Sequence, residues 1–170
     1  MLAAKLELTP PPEPLYFVKV SPSFSGQGDT VYRPKSYYGP AVFEGDLGVI
    51  IGKMSKEISE NETADHIFGY TCINDITAAT VIPKDATFPQ RTRAKGYDGF
   101  GVFGPVISTD VNPLGKNVKV ILDGDVRQDY PLSDMIFEPL QLVSLLSHDM
   151  TLLPGDVICV GTNVGVGSMN

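Results

Sequence analysis

Two carboxylates stand two residues apart in an otherwise apolar run of the sequence. The run VFEGDLGVIIG, residues 42–52, is rich in Val, Ile and Leu and ends at a glycine, which predicts a β-strand. Because side chains alternate across a strand, Glu44 and Asp46 are expected to point to the same face. Two like charges on one face repel each other, and a divalent cation bound by both would offset that repulsion.

A third carboxylate, Asp75, lies near the end of another predicted strand, GYTCINDIT, residues 69–77. A hard divalent cation takes oxygen ligands, two or three of them carboxylates, and keeps positions open for water and substrate. Glu44, Asp46 and Asp75 therefore predict a metal site. The alternatives are that the first two face solvent on an edge strand and that Asp75 caps a turn.

Two further residues are candidates for binding an anionic substrate. Lys95, in RTRAKGYDGFGVFGP, could hold an anionic oxygen beside the metal. Thr162, in GTNVGVG, offers a hydroxyl and neighbouring backbone N–H groups to a carboxylate, in the manner of an anion-binding nest. A solvated surface lysine and a glycine turn without a ligand are the alternatives.

Composition favours a single globular domain and disfavours a nucleic-acid partner. The chain has 170 residues, of which 42% are hydrophobic, and this is enough for one domain with its own core. The net charge of −7 is opposite to the basic surface that nucleic acids require. The sequence has no G-x-S-x-G, Walker or H-E-x-x-H motif, and we assign His66 and His148 structural or surface roles.

The cysteines and the hydropathy predict a cytoplasmic protein. Cys72 and Cys159 lie in apolar runs without a C-x-x-C pair, which predicts buried, reduced thiols. No apolar run approaches the ~20 residues of a membrane span. The first 14 residues lack a basic region followed by a long apolar core, so we expect no membrane partner.

The elements are mainly β with short helices and no βαβ rhythm. Four prolines predict an irregular N-terminal arm over residues 1–14, followed by one domain, residues 15–170. A long polar loop is expected over residues 80–99. The predicted strands are Leu15–Val20, Ala41–Ile51, Gly69–Thr77, a hairpin about Asp123–Gly124 and part of Met150–Thr162; the predicted helices are Ser59–Phe68, with a capping box, and Pro139–Leu146.

Four blocks of the sequence resemble the catalytic domain of the fumarylacetoacetate hydrolase family, in the family's order and at about its spacing. They are YGPAVFEGDLGVIIGK, GYTCINDIT, TRAKGYDGFGVFGPVI and LLPGDVICVGTNVGVGSM. The resemblance implies a mixed β-sandwich roll with short helices, usually a homodimer, with Mg²⁺ or Mn²⁺ in a cleft. Members of the family cleave, decarboxylate, hydrate or isomerise 2-oxo acids and β-diketo acids.

The resemblance also implies roles for the candidate residues. The family's metal carboxylates fall on Glu44, Asp46 and Asp75, although position 46 more often holds glutamate. The family's lysine falls on Lys95, where it would stabilise an enolate oxygen. Its substrate-binding threonine falls on Thr162, which is followed here by asparagine in place of the usual proline.

The sequence departs from the family pattern in three further places. Ala79 stands where many members carry an arginine that contacts substrate, which implies a less anionic substrate tail. The family's base, a histidine with a glutamate three residues later, would fall near residues 2–5, which are Leu, Ala, Ala and Lys. The strand that usually follows the last glycine turn is also missing, so we expect a catalytic core that lacks the N-terminal lid segment and the last C-terminal strand.

The leading hypothesis is a metal-dependent enzyme that acts on a small 2-oxo acid or acylpyruvate-type substrate through an enolate. C–C hydrolysis, decarboxylation and isomerisation share that enolate, so all three reactions stay open. The alternative is a non-catalytic or truncated homodimeric family member that keeps the fold and the metal site without turnover.

Overall fold

The computed structural model describes residues 9–169. Within that range the chain forms ten β-strands and three α-helices, joined by short 3-10 turns. The strands are β1 (Phe24–Gly26), β2 (Ala41–Phe43), β3 (Gly45–Ile51), β4 (Ile67–Asp75), β5 (Thr77–Ala78), β6 (Gly101–Phe103), β7 (Asn117–Leu122), β8 (Asp125–Pro131), β9 (Val157–Cys159) and β10 (Gly167–Ser168). The helices are α1 (Glu60–Thr63), α2 (Arg91–Lys95) and α3 (Pro139–Asp149).

The strands form three sheets. The largest has the order β1-β6-β4-β3-β9, and only its β1–β6 pair is parallel within the described residues. A second sheet has the order β10-β2-β5, and β7 and β8 form a separate hairpin. This arrangement of mixed sheets and short helices confirms the predicted mainly β fold class.

The predicted strand Ala41–Ile51 is divided at Glu44, which corrects the picture of one continuous strand. β2 ends at Phe43 and pairs in the three-stranded sheet, whereas β3 begins at Gly45 and pairs with β4 and β9. Glu44 lies at the crossing between the two sheets, where its carbonyl accepts a hydrogen bond from the Asp75 N–H at 2.8 Å. The sequence stays apolar across this break because β2 and β3 are each buried in their own sheet.

Three apolar clusters bury the elements that surround the crossing. β3 is buried along its whole length, as expected for a strand covered on both faces. One cluster packs β3 against α3, a second packs it against β8, and the third underlies the end of β4 and α2. The buried members are Val49, Ile51, Ile58, Val143, Leu146 and Leu152; Leu47, Tyr130 and Leu132; and Tyr37, Ala41, Ile76, Ala78, Val81, Ala94 and Phe100.

Several local predictions are confirmed. The hairpin turns at Asp123–Gly124, where both residues have positive φ, as the Asp-Gly signal predicts. The capping box is formed, because the Ser59 N–H and hydroxyl both donate to the Glu62 carboxylate. The last predicted helix begins at Pro139 and extends three residues further than expected, to Asp149.

Other local predictions are wrong. Leu15–Val20 forms no strand; side-chain contacts, described below, hold this segment. The helix predicted over Ser59–Phe68 ends at Thr63 and becomes a 3-10 turn, because β4 begins at Ile67 and pairs with β3. The long polar loop predicted over residues 80–99 is partly helical, because it contains most of a 3-10 turn and all of α2.

The cysteine prediction is also wrong in part. Cys72 is exposed and Cys159 is half-buried, although both thiols are free. No helix within residues 9–169 is both long and apolar enough to cross a lipid bilayer.

Two glycines with the same backbone conformation allow a test of the C-terminal turn. Gly165 and Gly155 have φ values of +95° and +93°. A Cβ at Gly165 would collide with the Arg127 carbonyl of β8, whereas a Cβ at Gly155 would meet nothing within 4 Å. We expect Gly155→Ala to lower the free energy of unfolding by about 1 kcal/mol through backbone strain alone.

Gly165→Ala should cost about 2–4 kcal/mol, since the collision with backbone adds to the same strain. Urea denaturation of the two variants measures the difference. Equal losses for both would contradict the close approach of the turn to β8.

Candidate active site

The Lys95 ammonium lies at the centre of a buried cluster of polar groups. Its Nζ donates to Asp75 Oδ2 at 2.6 Å, to Thr77 Oγ1 at 2.6 Å and to Glu44 Oε2 at 2.9 Å. The three acceptors use all three of its protons. Lys95 is the last residue of α2, Asp75 is the last residue of β4 and Glu44 lies at the crossing of the sheets, so three chain segments end here.

The Lys95 side chain carries its charge firmly at neutral pH. Burial by itself would lower the pKa of Lys95, but the nearby Asp75 and Glu44 carboxylates outweigh burial, and the pKa is raised. A permanently charged ammonium is neither a general base nor an amine nucleophile. It is suited to stabilising an anionic oxygen.

Asp46 is the least compensated group of the cluster. It is only 2% exposed, and its Oδ1 has no hydrogen-bond partner in the structure. Burial, and then the Asp75 and Glu44 carboxylates, raise the pKa of Asp46 well above its usual range, although Lys95 and the Gly161 backbone oppose the shift. A buried oxygen without a partner is costly, so this carboxyl group is a place for a proton or for a cation.

A second ammonium, Lys19, belongs to the cluster and was not predicted. Its Nζ donates to Asp75 Oδ1 at 2.7 Å and to the carbonyl of Lys95 at 2.5 Å. The ring centroid of Phe17 lies 5.7 Å from Lys95 Nζ. In the sequence, Phe17 and Lys19 stand two positions apart in LYFVKV, on one face of the strand predicted there, but this spacing is not a motif for a site.

Thr162 is tied to the start of β3 by a buried network. Its hydroxyl donates to the Gly45 carbonyl at 2.9 Å and accepts from Gln128 Nε2 at 2.9 Å. Gln128 Oε1 accepts from the Gly45 N–H at 2.9 Å, and the Tyr130 hydroxyl donates to the Gly45 carbonyl at 2.5 Å. Because Gly45 lies between Glu44 and Asp46 in the chain, this network fixes Thr162 relative to the acidic residues.

An open cavity of about 230 Å³ lies beside Thr162. The polar lining groups include Thr162 and Asn163, and the rest of the wall is mostly apolar. The lining residues are Pro11, Pro14, Leu15, Tyr130, Asp134, Met135, Ile136, Phe137, Leu142, Val160, Gly161, Thr162 and Asn163. The cavity is therefore suited to a small molecule with one polar end.

The structure brings most of the predicted site residues together. Glu44, Asp75 and Lys95 are in direct contact, and Asp46 is close enough for their charges to change its pKa. Thr162 reaches the cluster through the backbone at the start of β3, and the backbone of its neighbour Gly161 hydrogen-bonds Asp46. Sequence analysis missed Lys19, Thr77 and Gln128; for Gln128 the only available signal was its place on the inward-facing side of β8, two residues before a buried tyrosine.

The donor chemistry of the cluster fits a divalent cation. The cluster offers three carboxylates, one of which has a buried oxygen without a partner, and carboxylate oxygens are the ligands that Mg²⁺ and Mn²⁺ prefer. In the structure the ammonium groups of Lys19 and Lys95 occupy both oxygens of Asp75. Within residues 9–169, no group of three or more His, Cys, Asp and Glu side chains is arranged to hold a metal ion.

The family follows from the sequence match and the fold together. Residues 3–170 match the family described as fumarylacetoacetate (FAA) hydrolase, C-terminal. The chain belongs to this family, which confirms the resemblance and the fold that it implied.

Named relatives of the chain are enzymes. It is 37% identical to oxaloacetate tautomerase YisK of Bacillus subtilis, over 92% of this chain and 52% of the relative. Among solved structures, 5-carboxymethyl-2-hydroxymuconate delta-isomerase from Mycobacterium smegmatis shares 37% identity with a TM-score of 0.87, over 93% of this chain and 62% of that one.

A third similar protein, fumarylacetoacetate hydrolase from Exiguobacterium antarcticum, shares 34% identity with a TM-score of 0.83. The match covers 89% of this chain and 54% of that one. The chain thus spans between half and two thirds of the length of these three proteins.

We expect Asp46→Asn to stabilise the metal-free protein at neutral pH by about 1–3 kcal/mol, because it removes a buried, incompletely compensated charge. The raised pKa means that the folded state holds the Asp46 proton more tightly than the unfolded chain does. The stabilisation of the folded state by this bound proton is fully present below the unfolded pKa of about 3.9 and is lost as pH rises towards the folded pKa.

The gain from Asp46→Asn should therefore be small in acid and grow as pH rises, which urea denaturation at several pH values measures. Asp110→Asn, at an exposed position, is the matched control and should change little. A destabilised Asp46→Asn protein at pH 7 would show that the carboxylate is well compensated after all.

Proposed function

We propose that the chain is a metal-dependent enzyme that acts on a small 2-oxo acid or acylpyruvate-type substrate through an enolate. The observation that carries the proposal is the buried cluster in which Lys95 contacts Glu44 and Asp75 beside the unpaired oxygen of Asp46. Such a concentration of charge is costly for stability, and it is typical of sites that stabilise charge in a reaction.

Glu44, Asp46 and Asp75 would hold Mg²⁺ or Mn²⁺. When bound, the ion supplies a Lewis acid that polarises the 2-oxo group of the substrate. Lys95 places a fixed positive charge in the same cluster, where it can stabilise an enolate oxygen. Removal of Lys95 would therefore affect charge that develops in the transition state more than the binding of substrate.

Thr162 would bind the substrate carboxylate. Its hydroxyl now donates to the carbonyl of Gly45, and turning that proton towards the neighbouring cavity would offer it to a carboxylate instead. Gln128 keeps the Thr162 oxygen in place during this exchange, because it also donates to the carbonyls of Asn163 and Val164. The mostly apolar cavity wall suits the less anionic substrate tail that Ala79 implies.

We assign neither histidine a catalytic role. His66 Nδ1 contacts the Ser55 hydroxyl at 2.9 Å, and His148 Nδ1 contacts the Ser144 carbonyl at 2.9 Å. Both contacts hold the rings within the scaffold. The names of relatives include a tautomerase, an isomerase and a hydrolase, and all three reactions can pass through the same enolate.

We further propose that the protein is cytoplasmic and assembles as a homodimer, as the family resemblance implies. Exposed aromatic rings at the edge of the large sheet are compatible with such an interface: Phe24 of β1 and Phe103 of β6 pack edge to face, with centroids 6.1 Å apart. Sedimentation of the purified protein measures the oligomeric state.

Turnover is tested with oxaloacetate and acetylpyruvate as substrates in the presence of Mg²⁺ or Mn²⁺. We expect Lys95→Met to lower kcat by about a thousandfold or more with a smaller change in KM, since it removes stabilisation of the enolate. Lys56→Met is the matched control, because that lysine is exposed and pairs with its neighbour Glu57. Full activity in the Lys95 variant would exclude the proposed role.

Metal binding is tested separately by calorimetric titration with MnCl₂. We expect Glu44→Ala to weaken Mn²⁺ binding by tenfold or more, because one of three carboxylate ligands is lost. The exposed Glu60→Ala, in the first turn of α1, is the control. Absence of Mn²⁺ binding in the wild-type protein, or unchanged binding in the Glu44 variant, would reject a metal site here.

The second candidate function is a non-catalytic family member. It is favoured by one observation: ammonium groups already occupy both oxygens of Asp75, so the cluster is largely neutralised without a metal. Metal-dependent loss of oxaloacetate or acetylpyruvate that Lys95→Met abolishes would decide against this candidate.

A further inference from the structure

Lys19 makes three contacts, with the last residue of β4, the last residue of α2 and the residue before β6. Besides the carboxylate of Asp75, its ammonium donates to the carbonyl of Lys95 at 2.5 Å and lies 3.4 Å from the carbonyl of Phe100. The Lys19 side chain is only 9% exposed. A lysine buried to this extent with all its protons directed at named acceptors is a fixed part of the structure.

The carbonyls that Lys19 holds are themselves structural. The carbonyl of Lys95 is at the C-terminal end of α2, where a positive charge is favoured. The carbonyl of Phe100 also accepts a hydrogen bond from the Ile76 N–H at 2.9 Å, next to Asp75. One ammonium therefore fixes the end of the helix that carries Lys95 and the end of the strand that carries Asp75.

The surrounding chain leaves space for this side chain. A Cβ on Gly101 would come within 2.9 Å of Lys19 Cε and within 3.2 Å of the Ser23 carbonyl. A side chain at this position of β6 would therefore press on the lysine stem and displace it, and glycine avoids that displacement. The segment around Lys19 forms no strand within the described residues, so side chains such as this one hold it against the site.

We propose that Lys19 is a positioning residue, which orients Asp75 and Lys95 for the proposed reaction and limits how strongly the carboxylates attract a metal ion. The second part rests on the proposed function. The carboxylates of Glu44, Asp46 and Asp75 carry three negative charges when ionised, and the ammoniums of Lys95 and Lys19 carry two positive ones. Loss of Lys19 would leave the cluster more negative and one oxygen of Asp75 free.

The two parts of the proposal predict effects of opposite direction. Without Lys19, the freed carboxylate should attract a divalent cation more strongly, while Lys95 and Asp75 lose their fixed relative placement. We expect Lys19→Met to bind Mn²⁺ about three- to tenfold more tightly in calorimetry and to lower kcat by tenfold or more. A residue that merely supported the fold would weaken metal binding and lower activity together.

The control is Lys56→Met, which removes an exposed lysine outside the cluster and should leave both measurements unchanged. Wild-type kcat in Lys19→Met, or weakened Mn²⁺ binding in a folded variant, would overturn the proposal. Gly101→Ala is the second variant, because it displaces the lysine stem while leaving its charge in the protein. It should also lower kcat by tenfold or more, and wild-type kcat in this variant would likewise overturn the proposal.

A structural measurement separates failure of this inference from failure of the proposed function. Hydrogen exchange in residues 91–101 of metal-free Lys19→Met should be at least tenfold faster than in the wild type, with the hairpin of residues 117–131 as internal reference. If the wild-type protein neither binds Mn²⁺ nor turns over substrate, the proposed function fails, and this exchange still decides whether Lys19 positions the site. Unchanged exchange in both Lys19→Met and Gly101→Ala would reject the positioning role.

Discussion

The architecture of the site depends on one constraint: several carboxylates are removed from water and must find positive charge within the protein. Desolvation of an unpaired carboxylate costs several kcal/mol, which is comparable with the whole stability of a domain. Two ammonium groups compensate the charge of Asp75, whereas one oxygen of Asp46 has no partner. A protein retains such an arrangement against its cost where the charges serve chemistry.

Three groups of the cluster sit where a backbone element ends rather than within one. Asp75 ends β4, Lys95 ends α2 and Glu44 interrupts the passage from β2 to β3. Ends of elements present side chains without the alternation that a regular strand imposes. The scaffold around them is rigid, since β3 is buried throughout and packs against both α3 and β8.

Local signals in the sequence predicted local structure well. The hairpin at Asp123–Gly124 and the capping box at Ser59 follow from short-range chemistry that the surrounding fold does not alter. The break at Glu44 was not predictable from the apolar pattern, because a strand that passes from one sheet to another keeps the same composition as an uninterrupted one. Leu15–Val20 has strand composition, but the segment is held by the Lys19 ammonium instead of a strand partner.

The difference between local signals and three-dimensional contacts also applies to the site. Carboxylate types and family resemblance indicated Glu44, Asp46 and Asp75, and the structure gathers them around Lys95. The contribution of Lys19 was missed because a single lysine in an apolar segment has no spacing motif of its own. Only the three-dimensional placement of its acceptors, which come from β4, α2 and the residue before β6, reveals it.

The crossing at Glu44 connects the site to the packing of the two sheets. β2 belongs to the sheet that contains β10 and β5, and β3 belongs to the sheet that contains β4 and β9, so Glu44 is a covalent joint between the two sheets, as Ile76 is between β4 and β5. A ligand bound by both the Glu44 and the Asp75 side chains would strengthen that joint through side-chain contacts as well. Binding of such a ligand would stabilise the folded arrangement of the two sheets, because a ligand that binds only the folded state shifts the equilibrium towards it.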